Sequence, residues 1–419
     1  MIKRKIKNIF HSNLFGNLSA LMILQLLTYV FPLITVPYLY RVLGVELYGL
    51  VSFAAAFMVY FTILTDFGFN LSAVREISVN RDSKEKVEEI FNSVSSSRIL
   101  LCICSLLILL VILFTINPFS EEKQLYLLSF TIVFGNAIFP IWFFQGLEKM
   151  KYITIINIVA RTVSILPIFF VVKNESDYLF VPIFYGLGSV ISGIVSLIVI
   201  HHKFKIRFYI PKISSIVNSL KDSATYFLSR LSLSLYTATN TFLIGLILGN
   251  TAVGYYAAAD KLYQGYSGLL APITQAIYPY MAKNKDLKLW KKITKLVSVS
   301  NGVVAVVVAW LATEILLIVY GEIQQDIVNV FRILTLTTII TFPSILSGYP
   351  LLAAWGHPKF VNSSVMVASI VHITGLSVLV FSKQLSLVSV ACMVMISECV
   401  VYGVRIWGYK KYIIRKTLI

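Results

Sequence analysis

Twelve apolar stretches, each close to the length that crosses a bilayer, follow one another along this chain with little between them but short polar connections. They run near 14–40, 48–72, 96–116, 124–147, 153–172, 178–202, 222–248, 254–281, 293–318, 327–354, 360–381 and 385–409. A hydrocarbon core about 30 Å thick takes about 20 helical residues. Backbone amides have no water to bond there, so only helices and closed barrels span it. Stretches of this length predict helices. At 58% hydrophobic and 13% charged residues over 419 positions, nothing is left for a sizeable soluble domain, since such domains carry about 25% charged residues. The expected fold is an all-α membrane protein of about 12 transmembrane helices.

The basic residues fix the orientation. With both termini inside, the cytoplasmic connections hold 26 of the 36 Lys and Arg, beginning with Lys3, Arg4, Lys5 and Lys7, whereas the opposite loops hold only Arg41, Lys123, Lys173 and Lys383. This is the positive-inside pattern. It gives the net charge of +17 a topogenic role and removes any need for nucleic acid as a partner. The first run is too long for a signal peptide and lacks a cleavage site, so it is expected to stay as the first helix. The basic connection 203–221 divides the chain into halves, 1–210 and 211–419, of six helices each. Leu43-Gly44 and Gly49 are echoed by Leu248-Gly249 and Gly254, and Pro140, Gly146 and Lys149 by Pro350, Gly356 and Lys359. Two such copies with an even helix number are related by an axis along the membrane normal, as in parallel-repeat transporters.

No phosphate-cradling G-x-x-x-x-G-K-[ST] loop, H-E-x-x-H or G-x-S-x-G occurs, so an enzyme reading has no foothold. Cys102, Cys104, Cys392 and Cys399 lie within apolar runs, where cysteine behaves as a small hydrophobe. Neither metal nor cofactor is expected. Charges at membrane depth remain. Arg161, Arg230, Lys261 and Arg332 each cost at least about 2.5 kcal/mol against lipid, so each needs a partner or a wet cavity. Asp66, Asp260 and Glu398 are counter-ions to arginine or proton carriers. Arg161 and Arg230, one from each half, are the side chains best suited to phosphate oxygens, because the guanidinium fork is planar and permanently charged. Pro32 and Pro37, five apart in the first span, each remove a backbone hydrogen bond and mark a candidate gating bend.

The segments Tyr38-Leu39-Tyr40-Arg41-Val42-Leu43-Gly44-Val45-Glu46-Leu47-Tyr48-Gly49, Asp66-Phe67-Gly68-Phe69 with Arg75-Glu76-Ile77, Gln145-Gly146-Leu147-Glu148-Lys149-Met150 and Val253-Gly254-Tyr255-Tyr256-Ala257-Ala258-Ala259-Asp260-Lys261-Leu262 carry a resemblance across both halves. The chain resembles the Wzx-type O-antigen flippases of the polysaccharide-transport branch of the MOP superfamily. The resemblance implies two six-helix lobes around a central cavity that opens alternately to either side of the bacterial inner membrane. It implies undecaprenyl-pyrophosphate-linked oligosaccharide as cargo, which makes glycan-assembly machinery a candidate partner, and Asp66, Asp260 or Glu398 are the candidate carriers of a coupling H+ or Na+. It transfers no ligand set residue by residue. The rivals are a MATE-like exporter of soluble cations, which wants an acidic or aromatic cavity, and a lipid II flippase, which usually has two further helices. A glycan polymerase or ligase typically carries a large extracytoplasmic loop, and this sequence has none.

Overall fold

In the computed structural model the backbone is described for residues 13–117, 119–268, 270–321 and 324–414. The side chains of 13–27, 228–230, 232–237, 271, 272, 275 and 276 lie outside the described set, as do all residues beyond those ranges, among them Lys3–Lys7 and Lys416. Each of the twelve apolar stretches falls on helix. Among the described residues nine helical stretches are long and apolar enough to cross a membrane, and the first of them, Thr28–Asn80, carries two of the twelve. The protein is a multi-pass membrane protein.

The chain forms two compact units, Tyr29–Gly49 with Leu235–Ile419, and Leu50–Ser234 with the segment preceding Tyr29. The boundaries fall inside two long helices, α1 (Asn13–Asp66) and α8 (Ile213–Leu248).

Within the unit built on Leu50–Ser234, Gly68 (φ 80°) turns the chain from α1 into α2 (Phe69–Asn80). A Cβ there would stand 2.7 Å from the Phe227 nitrogen, so only glycine permits both the left-handed turn and the contact. Ser83 then caps α3 (Lys84–Thr115), its side chain accepting from the Lys86 amide. Helix α4 (Lys123–Ile138) is broken at Phe139-Pro140 before the short α5 (Ile141–Gly146). Helices α6 (Met150–Val171) and α7 (Phe180–Phe204) complete the unit. Helix α7 meets its neighbours at small residues: a Cβ on Gly188 would lie 2.6 Å from the Ala160 carbonyl oxygen of α6. Membrane helices, which gain nothing from excluding water, associate through such close approach. Around α5 the core is aromatic, with Phe69, Phe91, Trp142, Phe143 and Phe144 all buried.

In the other unit α1 breaks at Gly44 (φ 72°, ψ 166°), whereas Pro32 and Pro37 lie within continuous helix. Next come α9 (Asn250–Gly268), α10 (Ala271–Asn284), α11 (Leu287–Trp310), α12 (Ala312–Tyr320) and α13 (Gln325–Ser347). A π-helical turn (Gly348–Ala353) then leads to α14 (Pro358–Phe381) and α15 (Leu387–Tyr409). Asp286 caps α11 by accepting from the Leu289 amide at 2.9 Å. Trp290 donates its indole N–H to the Leu346 carbonyl at 2.9 Å, satisfying that buried donor. The echoed glycines meet here: a Cβ on Gly49 would stand 1.8 Å from the Asn250 oxygen, and one on Gly254 2.2 Å from the Val45 oxygen. Positions 45 and 49 correspond to 250 and 254 at one offset, so the two contacts are images of each other.

Candidate functional site

The larger polar site lies in the unit that contains Leu235–Ile419. A cavity of about 540 Å³ is lined by Tyr29, Asn240, Tyr256, Asp260, Tyr263, Gln264 and Glu398, with smaller residues between them. Helical spacing explains the grouping. Tyr256, Asp260, Tyr263 and Gln264 recur three and four apart on α9 and therefore share a face. Asn240 comes from α8, and Glu398 from α15. Gln264 donates to Asp260 Oδ2 at 2.6 Å and accepts from Lys261 Nζ at 3.4 Å, so one amide ties the carboxylate to the ammonium. Behind the cavity wall His372 of α14 is wholly buried, its Nε2 2.8 Å from Asn240 Oδ1 and its Nδ1 2.9 Å from Ser397 Oγ.

Asp260 and Glu398, far apart in sequence, thus line one cavity. Among the described lining residues there is no Lys or Arg, so the charge they present is anionic. Arg332 is engaged elsewhere: its Nε donates to the Ala309 carbonyl at 3.1 Å and its Nη2 to Thr313 Oγ1 at 3.4 Å, closing the step between α11 and α12. Arg161, half-buried on α6, interacts with Tyr185 of α7 and forms no ion pair with any described acid. The side chain of Arg230 lies outside the described residues. Both Arg161 and Arg230 belong to the unit built on Leu50–Ser234.

Asp66 lies in a second polar void of about 100 Å³, shared with Thr62, Asn70, Arg98 and Asn136. Arg98 is only 4% exposed. Its Nη1 donates to the Phe139 carbonyl at 3.0 Å and its Nη2 to that of Asn136 at 2.7 Å, with Asp66 Oδ1 4.0 Å away. It satisfies carbonyls that the Phe139-Pro140 break removes from the helix ladder. Arg405 of α15 acts alike beside the π-helical turn, donating to the Ser344 carbonyl at 2.9 Å and to Ser364 Oγ at 3.1 Å. Neither arginine stands deep in its apolar stretch as the sequence reads. Arg98 stands two residues inside the 96–116 stretch and Arg405 four from the end of 385–409, where an arginine reads as reaching the interface.

Residues 14–285 match the family described as polysaccharide biosynthesis protein. A protein of Escherichia coli (strain K12) provisionally named an O-antigen transporter is 29% identical over 392 residues, covering 92% of this chain and 94% of that one. One of Shigella dysenteriae with the same name is 30% identical, over 64% of this chain and 67% of its own length. Among solved structures, the lipid II flippase MurJ in an inward closed conformation superposes with a TM-score of 0.76 at 16% identity, covering 97% of this chain and 89% of that one. An outward-facing multidrug resistance MATE family transporter of the MOP superfamily gives a TM-score of 0.61 at 15% identity, over 97% and 96% of the two chains. At such identities the likeness is one of fold. With about two thirds of its length inside the family match, the chain belongs to the polysaccharide biosynthesis protein family, and its fold is similar to that of these transporters.

Proposed function

We propose that this protein is a flippase that moves undecaprenyl-pyrophosphate-linked oligosaccharide repeat units across the bacterial inner membrane by alternating access, without catalysing a reaction. The observation that carries the reading is the polar cavity of about 540 Å³ among helices of membrane-spanning character. Lipid-facing helices have no use for clustered carboxylates, amides and tyrosines, whereas a hydrated glycan needs them, and the volume falls within the about 300–1,000 Å³ of ligand sites. The provisional name shared by the two relatives supports the same reading. Reconstitution with defined lipid-linked glycans, measuring their transfer between leaflets, tests it. Absence of transfer for any of them, alongside uptake of small organic cations, would replace it.

That second reading has its own support. Two carboxylates and three tyrosines in one cavity suit an organic cation, through charge and through the ring faces. The pyrophosphate of a lipid-linked cargo would be repelled there, so it is assigned to Arg161 and Arg230. The carboxylates then serve a coupling cation. If protons drive transport, Glu398→Gln should remove the dependence of flipping on the proton gradient, reducing the driven rate at least about tenfold, the worth of one charge-assisted contact. A variant with unaltered gradient dependence would exclude Glu398 from coupling.

On this reading both termini and the connections holding Lys84, Lys212 and Lys288 lie in the cytoplasm, supported by the excess of basic residues in those segments. With the four native cysteines replaced, a cysteine at Lys212 should resist an impermeant thiol reagent in intact cells and react in inverted vesicles. Labelling from outside intact cells would invert the topology.

A further inference from the structure

Five groups stand in line from α15 to the cavity: Met393, Ser397, His372, Asn240 and Tyr256. Counting hydrogens along them decides the state of the histidine. Ser397 has one hydroxyl proton and donates it to the Met393 carbonyl at 2.7 Å. It can therefore only accept from His372, whose Nδ1 must carry a proton. On the other side Asn240 presents Oδ1 to Nε2 at 2.8 Å, and an amide oxygen is an acceptor without exception. With the amide in this orientation Nε2 carries a proton as well, and the ring between two acceptors is an imidazolium. Turning Oδ1 to the ring leaves Asn240 Nδ2 for the Tyr256 hydroxyl, with which Asn240 is hydrogen-bonded. Tyr256 then accepts from the amide, and its own proton is free for the cavity, where Asp260 is its charged neighbour.

We propose that His372 is a proton-binding site read out by the cavity: loss of its Nε2 proton turns the Asn240 amide over and draws the Tyr256 hydroxyl out of the cavity. In the neutral state Asn240 donates through Nδ2 to the bare Nε2, and its Oδ1 accepts the Tyr256 hydroxyl. Binding reverses both bonds. A hydronium ion in the cavity gives up a proton, one O–H bond breaking as the Nε2–H bond forms, and leaves water. A buried imidazolium is costly to hold without a counter-charge. The charged groups on the helices around it are Asp260 and Lys261 on α9 and Glu398 and Arg405 on α15, with Tyr256 and Tyr263 as the titratable neighbours. Between residues 235 and 248 of α8 and between 333 and 347 of α13 there is no charge. Arg405 and Lys261 hydrogen-bond to neutral groups and keep their charge, with Lys261 beside Asp260 and Arg405 beside Glu398; the two acids lining the cavity are the anions that would balance the new positive charge. The site stands whether the cargo is a lipid-linked glycan or an organic cation.

Its test needs no cargo. Full-length protein in nanodiscs, labelled with 15N-histidine and 13C-tyrosine, is titrated from about pH 4 to about pH 8, a range that extends below the ordinary histidine transition to take in a buried ring. His372→Gln and Tyr256→Phe identify the two signals. His372 should show two protonated nitrogens at the acid end and one at the alkaline end, and the Tyr256 ring signal should move with the same midpoint. Asn240→Asp, which adds a negative acceptor, should raise that midpoint by about one unit or more, a tenfold change in proton affinity. Asn240→Leu, which removes the acceptor, should lower it by a similar amount. A bare nitrogen on His372 at the acid end would overturn the proton site. A Tyr256 signal that ignores the His372 midpoint in both wild type and Asn240→Asp would overturn its link to the cavity.

Discussion

Replacing Arg98 by alanine should all but remove the protein from the membrane. The carbonyls of Asn136 and Phe139 would lose a charged donor, and Asp66 the cation 4.0 Å from it, all in a void of about 100 Å³. Breaking one partner out of a buried, charge-assisted set costs about 3–5 kcal/mol. Whole domains are stable by only about 5–15 kcal/mol. Lysine should rescue little. It can place a charge near Asp66, but one ammonium cannot hold two carbonyls in the plane that the guanidinium matches. Membrane abundance and the midpoint of detergent-induced unfolding check this. Wild-type values for Arg98→Ala would show that the helix break at Phe139-Pro140 needs no bridge. Leu106→Ala, on the same helix beside an apolar hollow, is the control and should cost far less.

Arg161→Ala and Arg230→Ala should each slow flipping about ten- to a hundredfold while the protein still accumulates. The expectation rests on the flippase reading and on chemistry. A pyrophosphate is held by hydrogen bonds to charged donors worth about 1.5–3 kcal/mol each, and that sum appears in the rate if the contact forms on the way across. Arg161→Lys and Arg230→Lys should lie between alanine and wild type, because lysine keeps the charge and loses the paired hydrogen bonds. Arg161 forms no ion pair with a described acid that its removal would strand, so abundance and activity can be separated for it. Two alanine variants with normal abundance and normal flipping would take the pyrophosphate away from both positions.

Helix content and the order of apolar stretches were legible because desolvating a peptide group is so costly that a run of about 20 apolar residues has one outcome. Where helices start was less legible. Residues 84–95 precede the 96–116 apolar stretch, yet α3 begins at Lys84 and turns Ser93 and Ser97 inward, with Ser97 Oγ 2.8 Å from Ser219 Oγ. That extension carries Arg98 from the edge of its stretch to the middle of a 32-residue helix. The pairing of Asp260 with Glu398 was out of reach, since it depends on which faces α9 and α15 present to a common space and not on either helix's own period. Asp260 and Lys261 are adjacent and thus about 100° apart on the helix. Asp260 lines the cavity, Lys261 is not among the lining residues, and Gln264 spans the difference. His372 escaped notice because a lone histidine in an apolar run carries no pattern.

The reciprocal crossing at Gly49 and Gly254 has a mechanical meaning. With no side chain at either glycine the two backbones touch directly, and the nearest atom to each is a peptide carbonyl oxygen. No flexible side chain lies between them to absorb a change of spacing, so a Cβ at either position would have to part the two helices along their length.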